Sequence, residues 1–133
     1  MHVLRGDAAT FARIAPAGFV ILWALQAATQ ALQTDLTITC GTEDHPVGDP
    51  HTRGEAYDVR VRGLSTDLIV RLVHFLRTAL GALFTVLLET PVSFSQPELV
   101  ALQSVNPHAT GPHIHTQRKR GTVYPPPDGT IAA

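Results

Sequence analysis

The sequence predicts an α+β fold: two main helices packed on a small, mainly antiparallel sheet. Two stretches, 17–33 and 66–80, place apolar side chains at three- and four-residue steps, which is typical of helices with one buried face. Three other stretches predict strands. Apolar and polar residues alternate in 36–40 and 55–61, and 83–88 is a continuous apolar run. A further strand is expected to begin at His113.

Proline, glycine and helix-capping residues set the expected ends of these elements. Pro16 is tolerated only near the beginning of the first helix. Ser65 or Thr66 is a suitable cap for the second helix, and Gly81 is a natural stop. The connection over 90–112 is long, and it carries a possible short helix from Gln96 to Gln103. We therefore expect an insertion at this point that forms one wall of a cleft.

Length and composition indicate one globular domain. With 133 residues and 44% hydrophobic content, the chain is long enough to bury a core. We assign residues 1–120 to this domain and residues 121–133, which include three consecutive prolines, to an extended tail. The net charge of −1 shows no basic excess, so no nucleic-acid partner is expected. A monomer is expected.

The single cysteine excludes an internal disulfide and any site built on a cysteine pair. Cys40 ends the alternating run 36–40, and it is predicted to be a small buried residue rather than a nucleophile.

Residues 14–32 are apolar enough to raise the question of a membrane span. Polar and helix-disrupting residues interrupt the run, which barely reaches the ~20 residues that a span requires. We interpret it as a buried helix and expect no membrane partner. A membrane-anchored protein remains an alternative.

Two short stretches, 45–58 and 111–115, hold four of the seven histidines together with Asp58. Gly54 permits a sharp turn after His51, and Asp58 then falls on one face of the predicted strand 55–61. His113 and His115 share a strand face, so Ile114 between them should point into the core. Two imidazoles and one carboxylate suit zinc, and three protein ligands leave a fourth position for water. Chance surface histidines are the competing interpretation.

The string His51-x-x-Gly54-x-Ala56-x-Asp58, followed by His113-Ile114-His115, resembles the zinc peptidases of the D-Ala-D-Ala carboxypeptidase type. That family includes vancomycin-resistance dipeptidases and carboxypeptidases, phage L-alanyl-D-glutamate endolysins and the related hedgehog signalling domain. The resemblance extends from about residue 36 to residue 117. It implies a hedgehog-like or D,D-peptidase-like version of the α+β fold.

The resemblance also implies roles for individual residues. His51, Asp58 and His115 would be the Zn²⁺ ligands, and His113 would lie beside the metal water. Glu89, at the end of a strand, would be the catalytic base, and His113 would stabilise the oxyanion or replace Glu89 as base. His45 and Arg53 would contact substrate, with Arg60 and Arg62 as further nearby cations. Asp49, Asp44 or a backbone carbonyl would accept hydrogen bonds from the ligand histidines.

Three features depart from the family pattern. Asp49 stands where the family has a serine two residues before the first ligand. The connection from Glu89 to His113 is far longer than the family's tight one. The family's substrate-binding arginine has no evident equivalent.

The function that the resemblance implies is zinc-dependent hydrolysis of peptidoglycan stem peptides, by a D,D-carboxypeptidase or an L,D-endopeptidase. The partner would then be cell-wall peptide. Synthesis in the cytoplasm with phage-type release, or association with a virion, would fit the absence of a visible signal peptide. The alternative is a catalytically inactive zinc-binding or virion structural module on the same scaffold.

Overall fold

The computed structural model describes residues 1–7, 9–41, 49–51 and 53–126. Within these residues the chain forms three helices and six strands, in the order β1 Val3–Arg5, α1 Pro16–Leu32, β2 Leu36–Cys40, β3 Ala56–Arg60, α2 Thr66–Leu80, β4 Phe84–Thr90, α3 Pro97–Val100, β5 Gln103–Val105 and β6 His113–Arg118. The predicted α+β class is confirmed.

The six strands form one mixed sheet in the order β1-β2-β3-β6-β4-β5. The four inner strands pair antiparallel, whereas β1 and β5 add to the two edges in parallel. The prediction of antiparallel pairing therefore describes the inner strands but not the edges. The order brings β3 and β4 to the two sides of β6, although long stretches of chain separate these strands.

Helices α1 and α2 pack against each other and against one face of the inner strands. Alternate residues of β3, β6 and β4 point into this core, and Tyr57, Val59, Ile114 and Leu88 are fully buried there. The prediction that Ile114 points into the core is confirmed. We call the opposite side of these three strands, which is turned away from the helices, the outer face.

Both main helices begin and end close to where the sequence predicts. Pro16 is the first residue of α1, where its missing N–H removes no helical hydrogen bond. The Ser65 hydroxyl caps α2 by accepting a hydrogen bond from the backbone N–H of Leu68. Gly81 ends the helix with a φ of 72°. None of the helices in the described residues is long and apolar enough to cross a membrane.

The connection after β4 differs from the prediction. The helix predicted over Gln96–Gln103 is a single turn, α3, and Gln103 instead begins strand β5. Parallel pairing with β4 satisfies the backbone groups of β5 that face that strand. The Gln103 side chain also accepts a hydrogen bond from the Phe94 N–H and donates one to Ser93. The insertion is therefore fastened to the edge of the sheet.

The turn after His51 is in backbone contact with the start of α1. Gly54 has a φ of 71°, and a Cβ atom there would lie 2.2 Å from the carbonyl oxygen of Arg13. A Cβ atom at Gly18, in the first turns of α1, would lie 2.0 Å from the carbonyl oxygen of Gly54. Both positions therefore require glycine.

The first residues of the predicted tail contact the domain. The Tyr124 ring packs on Phe84, with 5.6 Å between ring centroids. Residues 127–133 lie outside the described residues.

Candidate metal centre

The predicted ligand residues meet at the centre of the sheet. Asp58 on β3 is the register partner of His115 on β6, and Glu89 on β4 is the partner of His113. All four side chains lie on the outer face, because residues at alternating positions share a side of the sheet. His51 joins them from the loop that precedes β3. The centroids of the His51 and His115 rings are 5.1 Å apart.

The loop that carries His51 is held by its own backbone. Gly54 donates its N–H to the His51 carbonyl at 2.9 Å, and Glu55 donates to the Pro50 carbonyl at 2.9 Å. The Asp49 carboxylate accepts a hydrogen bond from the backbone N–H of His51 at 2.8 Å. Asp49 therefore fastens the loop and does not contact the His51 ring through this bond.

Three imidazole rings surround one carboxylate oxygen. Asp58 Oδ1 is 2.8 Å from His115 Nδ1, 3.5 Å from His51 Nε2 and 3.8 Å from His113 Nε2. The three histidines and Asp58 are each mostly buried, with 6–16% of the side chain exposed. A cation at this point would have nitrogen and oxygen donors on several sides and little competition from bulk water.

The other nitrogen of each ring faces an oxygen acceptor. His51 Nδ1 is 3.2 Å from the Gly41 carbonyl, and His113 Nδ1 is 2.9 Å from the Gly111 carbonyl. His115 Nε2 is 2.8 Å from the Gln117 side-chain oxygen. The nitrogen that faces an acceptor oxygen, here called the outward nitrogen, must carry the hydrogen. In a neutral ring the other nitrogen then presents its lone pair towards Asp58. Metal-binding histidines have this arrangement.

The charges in the site favour a cation next to Asp58. Burial by itself would raise the pKa of Asp58, but hydrogen bonds from His115 and His51 and the positive charges of His51 and His113 outweigh it and hold the pKa well below its usual range. Burial by itself would lower the pKa of His115, but the hydrogen bond and charge of Asp58 outweigh it and raise that pKa. A proton or a metal ion can supply the positive charge.

Glu89 reaches the same cluster. Its Oε1 is 3.1 Å from His113 Nε2, and 20% of its side chain is exposed. The long connection to His113 does not separate the two residues, because β4 and β6 are neighbouring strands. The Glu89–His113 pair lies at one end of the cluster, with the imidazole between the two carboxylates.

Cys40 is a residue of the site that the sequence interpretation missed. Ligand atoms of Cys40, His51 and Asp58 all lie within 4.8 Å of one another, so these three residues could hold a metal ion. Cys40 was predicted to be buried in the core, but it is only partly buried. The pairing of β2 with β3 shifts register between Ile38 and Cys40, which places Cys40 opposite Asp58.

The two residues predicted to bind substrate are not both described. His45 lies outside the described residues, as does Asp44. Arg53 donates a hydrogen bond to Glu55 at 2.9 Å, and Glu55 also pairs with Arg118. Arg53 is thus engaged at the edge of the site.

Two other arginines line a cavity that adjoins the site. The cavity has a volume of about 350 Å³, and Arg60, Arg62 and His113 contribute to its wall, along with Thr39 and residues 110–112. Arg60 is the register partner of His113. The cavity therefore opens beside the Glu89–His113 pair and carries positive charge.

The chain was compared with known protein families, curated proteins and solved structures. No family model matches it. The searches of curated proteins and of solved structures also return no match.

Proposed function

We propose that this protein is a zinc-dependent peptidase that hydrolyses peptidoglycan stem peptides, as a D,D-carboxypeptidase or an L,D-endopeptidase. The observation that carries the proposal is the convergence of three imidazole rings on Asp58 Oδ1, each with its outward nitrogen next to an acceptor. The pattern His51-x-x-Gly54-x-Ala56-x-Asp58 with His113-Ile114-His115 supports the choice of reaction.

His51, Asp58 and His115 are the proposed zinc ligands. His51 would bind through Nε2 and His115 through Nδ1, since these nitrogens face Asp58. Two nitrogen donors and one oxygen donor suit zinc and leave a position for substrate or water. Gly41 and Gln117 then act as the acceptors that orient the two ligand rings.

The remaining chemistry belongs to the chain's own residues. When bound, zinc polarises the scissile carbonyl and lowers the pKa of water to about 7. Glu89 is the proposed base: it takes a proton from the attacking water and delivers it to the leaving amine. His113 Nε2 lies 3.1 Å from the Glu89 carboxylate. In its doubly protonated form His113 would donate this N–H and stabilise the negative charge that develops on the carbonyl oxygen.

The cationic cavity supports an acidic peptide as substrate. Peptidoglycan stem peptides carry free carboxylates, and arginine recognises carboxylates through paired hydrogen bonds. Arg60 and Arg62 line the cavity beside His113, so a carboxylate bound there would lie next to the proposed base. Arg53 is less suited to this role because its guanidinium is paired with Glu55.

The test is zinc content together with hydrolysis of purified cell-wall sacculi, followed through newly released amino termini. Glu89→Gln should keep zinc and reduce turnover by at least about 10²-fold, the contribution typical of a general base. Glu98→Gln is the matched control, since Glu98 is an exposed residue of α3 outside the cluster, and it should behave like the unaltered protein. A protein that binds no zinc would refute the proposal.

A catalytically inactive zinc-binding or virion module is the second candidate function. The position of Cys40 favours it, because a thiolate close to His51 and Asp58 could close the coordination sphere. Stoichiometric zinc without any cleavage of sacculi would support this second candidate.

A further inference from the structure

The register shift in β2 directs the only cysteine of the chain to the metal site. In an uninterrupted strand Cys40 would share a face with Leu36 and Ile38, which are each 1% exposed in the core. The shift between Ile38 and Cys40 instead pairs Cys40 with Asp58. Shifts of this kind are typical of β-bulges, which re-aim side chains next to active sites.

A thiolate at this position is chemically suited to the metal. Zinc binds cysteine sulfur at about 2.3 Å, and it binds imidazole nitrogen and carboxylate oxygen at about 2.0–2.2 Å. Four such donors around one ion lie roughly 3.3–3.7 Å from one another. Ligand atoms of Cys40, His51 and Asp58 lie within 4.8 Å, so side-chain adjustments of about 1 Å would bring all three to the metal.

We propose that Cys40 is a fourth metal ligand that competes with water for the open coordination position. The inference rests on the proposed function, and it adds a means of regulating that site. In the closed form the Cys40 sulfur occupies the coordination position that water occupies in the open form. Closing forms the sulfur–metal bond, releases the thiol proton to solvent and expels one water molecule. Opening reverses each of these changes. The closed form binds metal tightly and does not hydrolyse peptide, whereas the open form is the active one.

Cobalt substitution tests the sulfur–metal bond directly. The full chain, freed of metal by a chelator under reducing conditions, is titrated with Co²⁺. We expect a thiolate-to-cobalt charge-transfer band in the near ultraviolet together with the visible bands of bound cobalt. Cys40→Ser should lose the charge-transfer band and keep the visible ones. Visible bands without a charge-transfer band in the unaltered protein would overturn the inference and leave the metal site intact.

The size of the loss in zinc affinity shows whether Cys40 binds the metal itself or only orients another ligand. Cys40→Ser should weaken zinc binding by more than about 100-fold, measured by competition with a chelator. Losing a residue that only hydrogen-bonds a ligand typically weakens metal binding by about 100-fold at most. Thr37→Ser, on the same strand, is the matched control and should change affinity little. A loss under about tenfold for Cys40→Ser would contradict a bond to the metal.

Alkylation provides a measurement on the unaltered sequence, in case Cys40→Ser fails to fold. Zinc should slow the reaction of Cys40 with iodoacetamide, followed by mass spectrometry, by at least about tenfold, because the bound thiolate is withheld from the reagent. An equal rate with and without zinc would overturn the inference.

Hydrolysis distinguishes the regulatory inference from the proposed function. A loss of about 100-fold in zinc affinity corresponds to a closed form that holds about 99 molecules in 100, so Cys40→Ser at saturating zinc should raise turnover of sacculi by roughly 100-fold. A charge-transfer band with no turnover in either protein would refute the peptidase and leave Cys40 as a ligand. Turnover that falls in Cys40→Ser would overturn the competition with water.

Discussion

The two faces of the inner strands are built from the same backbone but carry different chemistry. The face under α1 and α2 buries apolar side chains such as Val59 and Ile114 completely. The outer face gathers partly buried histidines and acids around Asp58. One residue along a strand separates a side chain that stabilises the fold from one that can bind a ligand. Substitutions on the helix-covered face should therefore act mainly on stability, and those on the outer face mainly on site chemistry.

The largest effect on stability should come from truncating the helix-covered face. Leu87 and Leu88 are adjacent on β4 and point to opposite faces, which makes them a matched pair. Leu88 is fully buried, so Leu88→Ala should lower the free energy of unfolding by about 2–5 kcal/mol. Leu87→Ala, at a partly exposed position, should cost about 1 kcal/mol. Urea unfolding of the metal-free protein measures both, and equal losses would mean that the outer face is as well covered as the inner one.

A smaller effect is expected from pH, and it should come from the outer face. His115 has a raised pKa in the folded protein, so its contribution to stability is present below its unfolded pKa and is lost as pH rises through the folded pKa. Asp58 has a lowered pKa, so its contribution is present above its unfolded pKa and is lost only as pH falls through the folded pKa. The metal-free protein should therefore be more stable at mildly acidic pH than at pH 8.

Urea unfolding across this range tests the prediction. His115→Gln should flatten the profile because it removes the titrating group while keeping a polar side chain. Saturating zinc should reverse the slope, since the metal requires deprotonated imidazole and competes with the proton. A metal-free protein whose stability rises from pH 5 to pH 8 would contradict the charge arrangement around Asp58.

The smallest effect is expected from a hydroxyl on the helix-covered face. Tyr57 is fully buried, and its hydroxyl has no hydrogen-bond partner among the described residues. Burial raises the pKa of Tyr57 to about 12. Tyr57→Phe removes the buried hydroxyl and keeps the ring that packs against Phe11, so stability should stay equal or increase by up to about 1 kcal/mol. A loss above about 1 kcal/mol in thermal unfolding would show that the hydroxyl is hydrogen-bonded.

The elements with strong local patterns were predictable from the sequence. Helix α2 has a complete apolar stripe, a serine cap and a glycine stop, and it begins and ends as predicted. Strands β1 and β5 were missed because three residues are too few to show alternation. Both depend on parallel pairing with a neighbour distant in sequence, for which local residues give little signal. Strand β5 also replaced the end of the helix predicted over Gln96–Gln103.

Only the residues of the candidate site that lie within the sequence motifs could be predicted. The motif resemblance selected His51, Asp58 and His115. The sheet order brings Asp58 and His115 together, and the loop before β3 adds His51. Cys40 was missed because its position depends on a shift in pairing between β2 and β3, which alternation within β2 does not reveal. The alternating run 36–40 predicted a buried cysteine for the same reason. The pairing of Glu89 with His113 likewise depends on neighbouring strands and not on their separation in sequence.

The contact between Gly54 and Gly18 links helix α1 to the candidate metal site. The carbonyl of Gly54 lies where any side chain at Gly18 would begin, and the loop bearing His51 is only three residues away. Added bulk on this helix would push the loop outward and carry the His51 imidazole away from Asp58. Substitutions at Gly18 should therefore weaken binding of the proposed metal without changing any of the proposed ligands.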